Sequence, residues 1–388
     1  MEYHSPTSRP EKPFSTKFQQ QTLWHFSPQH STQSVVVCLF LVAVTFIPLG
    51  AAIIVASDTV FEKFYRYDHI NKCTATKHSS QLNVTLGGAT YSQGCITRVP
   101  LTLTKSLAAP VQIYYRLVGM YQNYRPYAKS KSDDQMSGIR MARGDSNADL
   151  CTPFLGPDQR GANVTITVGT QAFTPGSLVY HPCGTVPWSM FNDTISLYSV
   201  ASAATVTPTG PLPVGATAKC IGKAFTANGT ALLPTLPCAK KGIALAADAT
   251  ARFKPVPSGS PELWTGQGEP TSSDPYQRAG YYFGEAGQQV PRTDDEDFMV
   301  WMRTAGVADF WKPYRVLTQD LVAGDYALEI EEFWDSTSFG GEKHVVIATT
   351  SWIGGKNYVL GAIYIVLGSI AFVFGAGFLV HFLVSDKR

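Results

Sequence analysis

Two uncharged apolar runs constrain this chain more than any other feature. Residues 35–56 (VVVCLFLVAVTFIPLGAAIIVA) carry no charged side chain, and as a helix rising ~1.5 Å per residue they reach ~33 Å, the thickness of a bilayer's hydrocarbon core. Residues 358–384 (YVLGAIYIVLGSIAFVFGAGFLVHFLV) are equally apolar, with His381 as the one titratable group near the end, and are long enough to span with some tilt. Both must be helical, because hydrocarbon offers a backbone no partners and neither run alternates like a membrane β-strand. The first run exceeds the apolar length of a signal peptide and follows 34 polar residues, so it reads as an uncleaved anchor. The chain is only 15% charged, against about 25% in soluble domains, which also points to lipid-facing surface.

Two spans place both ends on one side of the membrane. The positive-inside rule does not say which, since Lys17 on one flank of the first span faces Lys63, Arg66 and Lys72 on the other. The connector, 57–357, decides. It contains all four N-x-S/T sequons, at Asn83, Asn163, Asn192 and Asn228, where the frequencies of Asn, Ser and Thr would give roughly one. It also holds six of the seven cysteines, Cys73, Cys95, Cys151, Cys183, Cys220 and Cys238, with Cys38 left in the first span. An even cysteine set with glycosylation acceptors is the mark of an oxidising compartment, so the connector is expected to be lumenal or extracellular and disulfide-bonded. Six cysteines allow fifteen connectivities; neighbour pairing closes the shortest loops. The arm 1–34, rich in Pro, Ser, Gln and His, and the tail 385–388 are then cytosolic.

The connector is rich in Thr, Val, Tyr, Gly and Pro and carries short alternating stretches such as 111–117 (VQIYYRL) and 326–333 (YALEIEEF). Such stretches predict antiparallel strands, most economically a β-sandwich with short helices. Residues 294–304 (DDEDFMVWMRT) predict one helix, with solvated acids at its N-terminus and Phe298, Trp301 and Met302 on one face. Residues 201–255 shift to Ala, Thr, Pro and Gly and read as a surface excursion pinned by Cys220 and Cys238.

No phosphate-loop, zinc-protease, nucleophile-elbow or dinucleotide motif occurs, and His181 and His344 have no nucleophile partner in sequence, so an enzyme is not expected. Neither cofactor nor metal is implied, because no cysteine has CxxC or Cys/His spacing. A net charge of +2 without a basic stripe speaks against nucleic acid. Neither span carries the buried Asp, Glu, Lys or Arg of an ion path. The second span instead repeats Gly361, Gly368 and Gly375, beside Ala371; seven residues return to nearly one helix face, so a partner helix could approach closely there. Pro48 is expected to kink the first span.

Five ordered blocks carry a resemblance: 18–21 (FQQQ), 114–130 (YYRLVGMYQNYRPYAKS), 182–184 (PCG) with 188–194 (WSMFNDT), 300–305 (VWMRTA), and 338–343 (SFGGEK) with 350–357 (TSWIGGKN). In these the chain resembles, over nearly its whole length, the ligand-effect-modulator or cell-division-control-fifty family, non-catalytic β subunits of type IV P-type ATPases that flip phospholipids. The resemblance implies a β-sandwich ectodomain between two membrane helices, N-glycans with Asn192 the most family-like acceptor, and Cys151 with Cys183 the most family-like bridge. Two departures stand out: the first cysteine cluster is reduced to Cys73 and Cys95, and the Cys220–Cys238 loop looks like an insertion.

The implied function is an accessory subunit that forms a heterodimer with an ATPase α subunit in a lipid membrane, and is needed for its stability, exit from the endoplasmic reticulum and phospholipid translocation. The implied membranes are those of the endoplasmic reticulum, Golgi or endosome, and plasma membrane. Partner contacts are expected from Phe18, Gln19 and Gln20 on the cytosolic side and from Gly361, Gly368, Ala371 and Gly375 in the membrane. A subunit of a two-pass ligand-gated channel shares this topology, but Ser369 is the only central polar side chain of its second span; an adhesion or receptor ectodomain is the third reading.

Overall fold

The computed structural model describes residues 24, 31–70, 82–86, 89–160, 165–168, 171–226, 229–255, 263–264 and 292–385. The chain divides into two compact units, Met1–Val55 with Asn357–Arg388, and Ala56–Lys356.

The first unit is a pair of helices, α1 (Thr32–Thr59) and α6 (Tyr358–Ser385). Both are long and apolar enough to cross a membrane. Each starts where a side chain can satisfy an orphan amide: the Ser31 hydroxyl accepts from Ser34 N at 3.2 Å, and Asn357 Oδ1 accepts from Leu360 N at 3.0 Å. The helix therefore reaches back to Thr32, into what the sequence assigned to the arm. Small and β-branched residues seven apart are buried on both helices, Val36, Ala43 and Gly50 on α1 and Gly361, Gly368 and Gly375 on α6. They face each other. A Cβ on Gly50 would lie 2.7 Å from the Gly361 carbonyl oxygen, one on Gly368 would lie 3.1 Å from Ile47 N, and one on Gly375 would lie 3.3 Å from Leu39 Cβ. Edge-to-face pairs, Phe40 with Phe372 at 5.6 Å and Phe46 with Tyr364 at 5.1 Å, flank the seam.

The second unit is a sandwich of two antiparallel sheets. One has the order β1 (Glu62–Arg66), β15 (Glu342–Ala348), β5 (Val111–Val118), β13 (Asp309–Leu317), β11 (Cys238–Ala239); the other β10 (Thr217–Cys220), β9 (Thr194–Val200), β14 (Gly324–Glu332), β4 (Cys95–Leu103). Three small pairs complete the described strands: β2 (Leu82–Leu86) with β3 (Ala89–Gln93), β6 (Ile166–Val168) with β7 (Gln171–Phe173), and a parallel pair, β8 (Val179–Tyr180) with β12 (Leu263–Trp264). The alternation in 111–117 works as the period of two demands: Val111, Ile113, Tyr115 and Leu117 are buried while their neighbours are half-exposed. They meet Leu101, Ile195, Leu197, Leu328 and Ile330 of the other sheet in one core.

The helix at 294–304 forms as α5 (Glu296–Met302), capped by Asp295, whose carboxylate accepts from Asp297 N at 2.8 Å. It is not one-sided. Phe298, Met299, Val300, Trp301 and Met302 are all buried, and its acids are paired rather than solvated: Lys240 Nζ lies 2.6 Å from Asp295 and 3.0 Å from Asp297, and Arg315 lies 2.7 Å from Asp297.

Residues 201–255 also depart from the surface excursion expected of their composition. They supply an edge strand to each sheet, β10 and β11, and the Cys220–Cys238 disulfide joins those edges. Val206, with half-buried Leu212 and Ala216, covers Ala327 on the face of the second sheet opposite the core. A second disulfide, Cys151–Cys183, sits in a satellite core of Met141, Leu155, Leu178, Tyr180 and Trp188. Cys95 is disulfide-bonded as well; Cys73 lies outside the described residues.

Candidate functional site

Of the blocks singled out in the sequence, 114–130, 182–194, 300–305 and 338–343 come together at one end of the sandwich. Strand β5 is followed by Gly119, which takes φ +84°, a left-handed conformation that glycine adopts without strain, and whose amide donates to Ala308 O at 2.9 Å. The loop that follows is tied to 300–305 and its continuation: Ala305 N donates to Gln122 Oε1 at 3.0 Å, and Asn123 Nδ2 donates to Gly306 O at 2.9 Å. Helix α2 (Arg125–Lys129), which precedes the single turn α3 (Asp133–Met136), begins with proline in its first turn and turns Tyr127 inward, where its hydroxyl meets Ser189 Oγ at 2.8 Å. Trp301 of α5, fully buried, donates at 2.7 Å to the carbonyl of Val186, which lies within α4 (Thr185–Trp188).

Beneath this region lies a buried ion cluster that joins the two sheets. Lys343 Nζ sits 2.7 Å from Asp193 and 3.1 Å from Glu332, and Tyr67 donates to the same Asp193 oxygen at 2.8 Å. The other Asp193 oxygen accepts from Phe333 N and Trp334 N, each at 2.6 Å. Burial pulls the Lys343 ammonium down, but Asp193 and Glu332 outweigh it and hold its pKa above the usual value. Burial raises the Glu332 carboxyl and puts the Tyr67 phenol far above its usual range. A second buried lysine, Lys312, donates to the carbonyls of Val300, Trp301 and Arg303 at 2.7 to 3.0 Å, closing the C-terminal end of α5.

Above the cluster opens a cleft of about 920 Å³, lined by Met120, Tyr121, Asn123, Tyr124, Arg125, Tyr127, Phe154, Trp188, Ser189, Trp334, Asp335, Ser338 and Phe339 with Gly119. Tyr121 and Tyr124 are 66% and 64% exposed at its rim. Aromatic side chains and an arginine around a concavity have the chemistry of a binding surface. Among the described residues no group of His, Cys, Asp and Glu is placed to hold a metal ion.

The sequence-predicted residues scatter more widely. Gly361, Gly368, Ala371 and Gly375 lie on one buried stripe, and α1 of the same chain packs on it through Gly50, Ile47 and Leu39. Phe18, Gln19 and Gln20 lie outside the described residues, as do Asn163 and Asn228. Asn83 falls in β2, and Asn192 is half-buried immediately before β9. His181 is buried with both ring nitrogens unpartnered, while His344 Nε2 meets Glu342 at 3.0 Å. The cleft residues and the Asp193–Lys343–Glu332 cluster were not singled out one by one, although the density of tyrosines in 114–127 and the acid in WSMFNDT signal both.

A model of the LEM3 (ligand-effect modulator 3) family / CDC50 family matches residues 53–388. The chain belongs to this family. Among its relatives are the Bos taurus protein called cell cycle control protein 50A, 31% identical over 96% of this chain and 90% of that one, and ALA-interacting subunit 3 of Arabidopsis thaliana, 29% identical over 97% and 88%. Phospholipid-transporting ATPase accessory subunit CRF1 of Saccharomyces cerevisiae is 28% identical over 97% of this chain and 86% of its own length. With the family established and two helices able to span, the chain is an integral membrane protein. The family match contains both sheets, the ion cluster and the cleft.

Proposed function

We propose that this chain is the non-catalytic β subunit of a type IV P-type ATPase phospholipid flippase, forming a heterodimer with the catalytic α subunit. The observation that carries this reading is the family match over 53–388, supported by relatives named as accessory or interacting subunits and aligned over almost their full length. The α subunit supplies the phosphorylated aspartate and the lipid path; this chain stabilises it, accompanies it out of the endoplasmic reticulum and supports translocation. The ectodomain is lumenal or extracellular and the termini cytosolic, in the Golgi or endosomes and the plasma membrane as well as the endoplasmic reticulum. Sequons and disulfides on the ectodomain support that orientation. Phe18, Gln19 and Gln20 contact the α subunit from the cytosol. To influence the transport cycle the subunit must bind the ATPase's phosphorylated states unequally, since equal affinity shifts no population.

The test is affinity purification of the full chain from native membranes in mild detergent. A P-type ATPase recovered at equal stoichiometry is the expected result. A homotrimer without an ATPase would overturn it in favour of a channel subunit.

A further inference from the structure

Between the end of β15 and the start of α6 the chain makes one closed turn whose tip carries an exposed tryptophan. Thr349, directly after β15, is tied to the segment leaving α1: its amide donates to Phe61 O at 2.9 Å and its hydroxyl accepts from Phe61 N at 2.9 Å. Phe61 stands two residues beyond the end of α1 at Thr59. Further along, Ser351 N donates to Gly354 O at 2.8 Å, Gly354 N donates to Ser351 O at 2.9 Å, and Gly354 takes φ +104°. Trp352 and Ile353 are therefore the tip of a two-residue hairpin. Trp352 is 72% exposed, and its indole N–H has no hydrogen-bond partner among the described residues. A closed turn thus holds a large apolar ring out where water disfavours it.

Six residues after Trp352 the chain enters α6 at Tyr358, a contour of at most ~22 Å. The tie from Thr349 to Phe61 keeps the turn equally near, along the chain, to the end of α1. From Thr349 to Asn357 the single charge is Lys356. Trp, Lys and Tyr grouped at the end of a span are the residues that settle at a membrane surface, the rings against the acyl boundary and the polar atoms toward water. We propose that the 351–354 turn is a membrane-docking element: the Trp352 indole lies in the headgroup layer of the leaflet on the ectodomain's side and gives the sandwich a hold on the bilayer additional to its two helices. Lipid is the occupant because the spans bring the bilayer surface within the reach of the turn whatever else binds the chain. The inference uses the spans and the turn and no ATPase, so its failure leaves the subunit reading untouched.

The experiment compares the full chain with Trp352→Phe, both reconstituted in phosphatidylcholine vesicles. Phenylalanine is silent where tryptophan is excited, so the difference between the two emissions belongs to Trp352. The expected result is a difference spectrum that is lost when the vesicles carry a nitroxide on the lipid headgroup and survives a nitroxide at the end of the acyl chain. Trp352→benzoylphenylalanine reads the same contact without a fluorescence difference: irradiated in native membranes, it should form an adduct with lipid. A difference spectrum that keeps its full strength beside headgroup nitroxides places the indole in water and overturns the proposal. So does an adduct at 352 with a polypeptide in place of lipid, which would assign the turn to a protein partner.

Discussion

Lys343 shows how much of this fold hangs on single side chains. Its ammonium neutralises Asp193 and Glu332 in a space closed to water, so Lys343→Met strands two buried carboxylates. A loss of roughly 3 to 5 kcal/mol is expected, read as a collapse of the thermal transition. His181 argues in the other direction. Burial pulls its imidazole down to about 4 from 6.5. Between those values the unfolded chain binds a proton that the folded chain refuses, so stability is full above pH 6.5 and drains as pH falls toward 4, by roughly 3 kcal/mol in all. Asp295 opposes this, because burial, with Asp297 beside it, raises its carboxyl to about 6 and favours the folded state as pH drops from 6 toward 4. Comparing His181→Leu with wild type cancels Asp295: the variant should lose less stability between pH 7 and 4.5 in melting scans, and parallel curves would refute the assignment. Neither residue was legible in the sequence. A lone lysine in a strand or a histidine before a proline reads as solvated, and only the tertiary burial of His181 and the placement of Lys343 opposite Asp193 say otherwise.

At the scale of elements, the glycine period predicts that some helix docks on α6 but not which, because van der Waals complementarity between apolar helices is the same whether the partner is covalently connected or not. The structure gives that place to α1. Leu39→Cys with Gly375→Cys, in a Cys38→Ala background, should therefore cross-link within one chain on mild oxidation, since a Cβ at 375 lies 3.3 Å from Leu39 Cβ. Gly50→Val, which drives a side chain into the Gly361 carbonyl, should suppress that cross-link, seen as a mobility shift on gels. The stretch 201–255 was misread for a related reason: Ala, Thr, Pro and Gly carry little period, so edge strands of four and two residues leave no trace in composition. Their function shows in the Cys220–Cys238 bond that holds one edge of each sheet. Cys220→Ala with Cys238→Ala should cost roughly 2 to 5 kcal/mol, measured as a lower denaturant midpoint of the purified chain.

For the molecule as a whole, what the sequence disclosed followed from strong, local signals: two uncharged runs, alternating strands, cysteines confined to one segment. The aromatic cleft was hidden because its walls come from residues more than 200 positions apart, Met120 to Phe339, and only folding brings them together. Strand β15 shows the same long reach. It lies between β1 and β5, pairing Val346 with Phe64 on one side and with Tyr114 on the other. During synthesis, β1 therefore waits with an open edge while about 275 residues emerge and β5 while about 225 do, roughly 10 to 55 s at the usual pace of translation. A chain stopped at residue 340 should leave both edges bare and be captured by the chaperones that patrol newly made strands. The arrival of β15 is the moment at which the nascent domain ceases to be a client and becomes cargo.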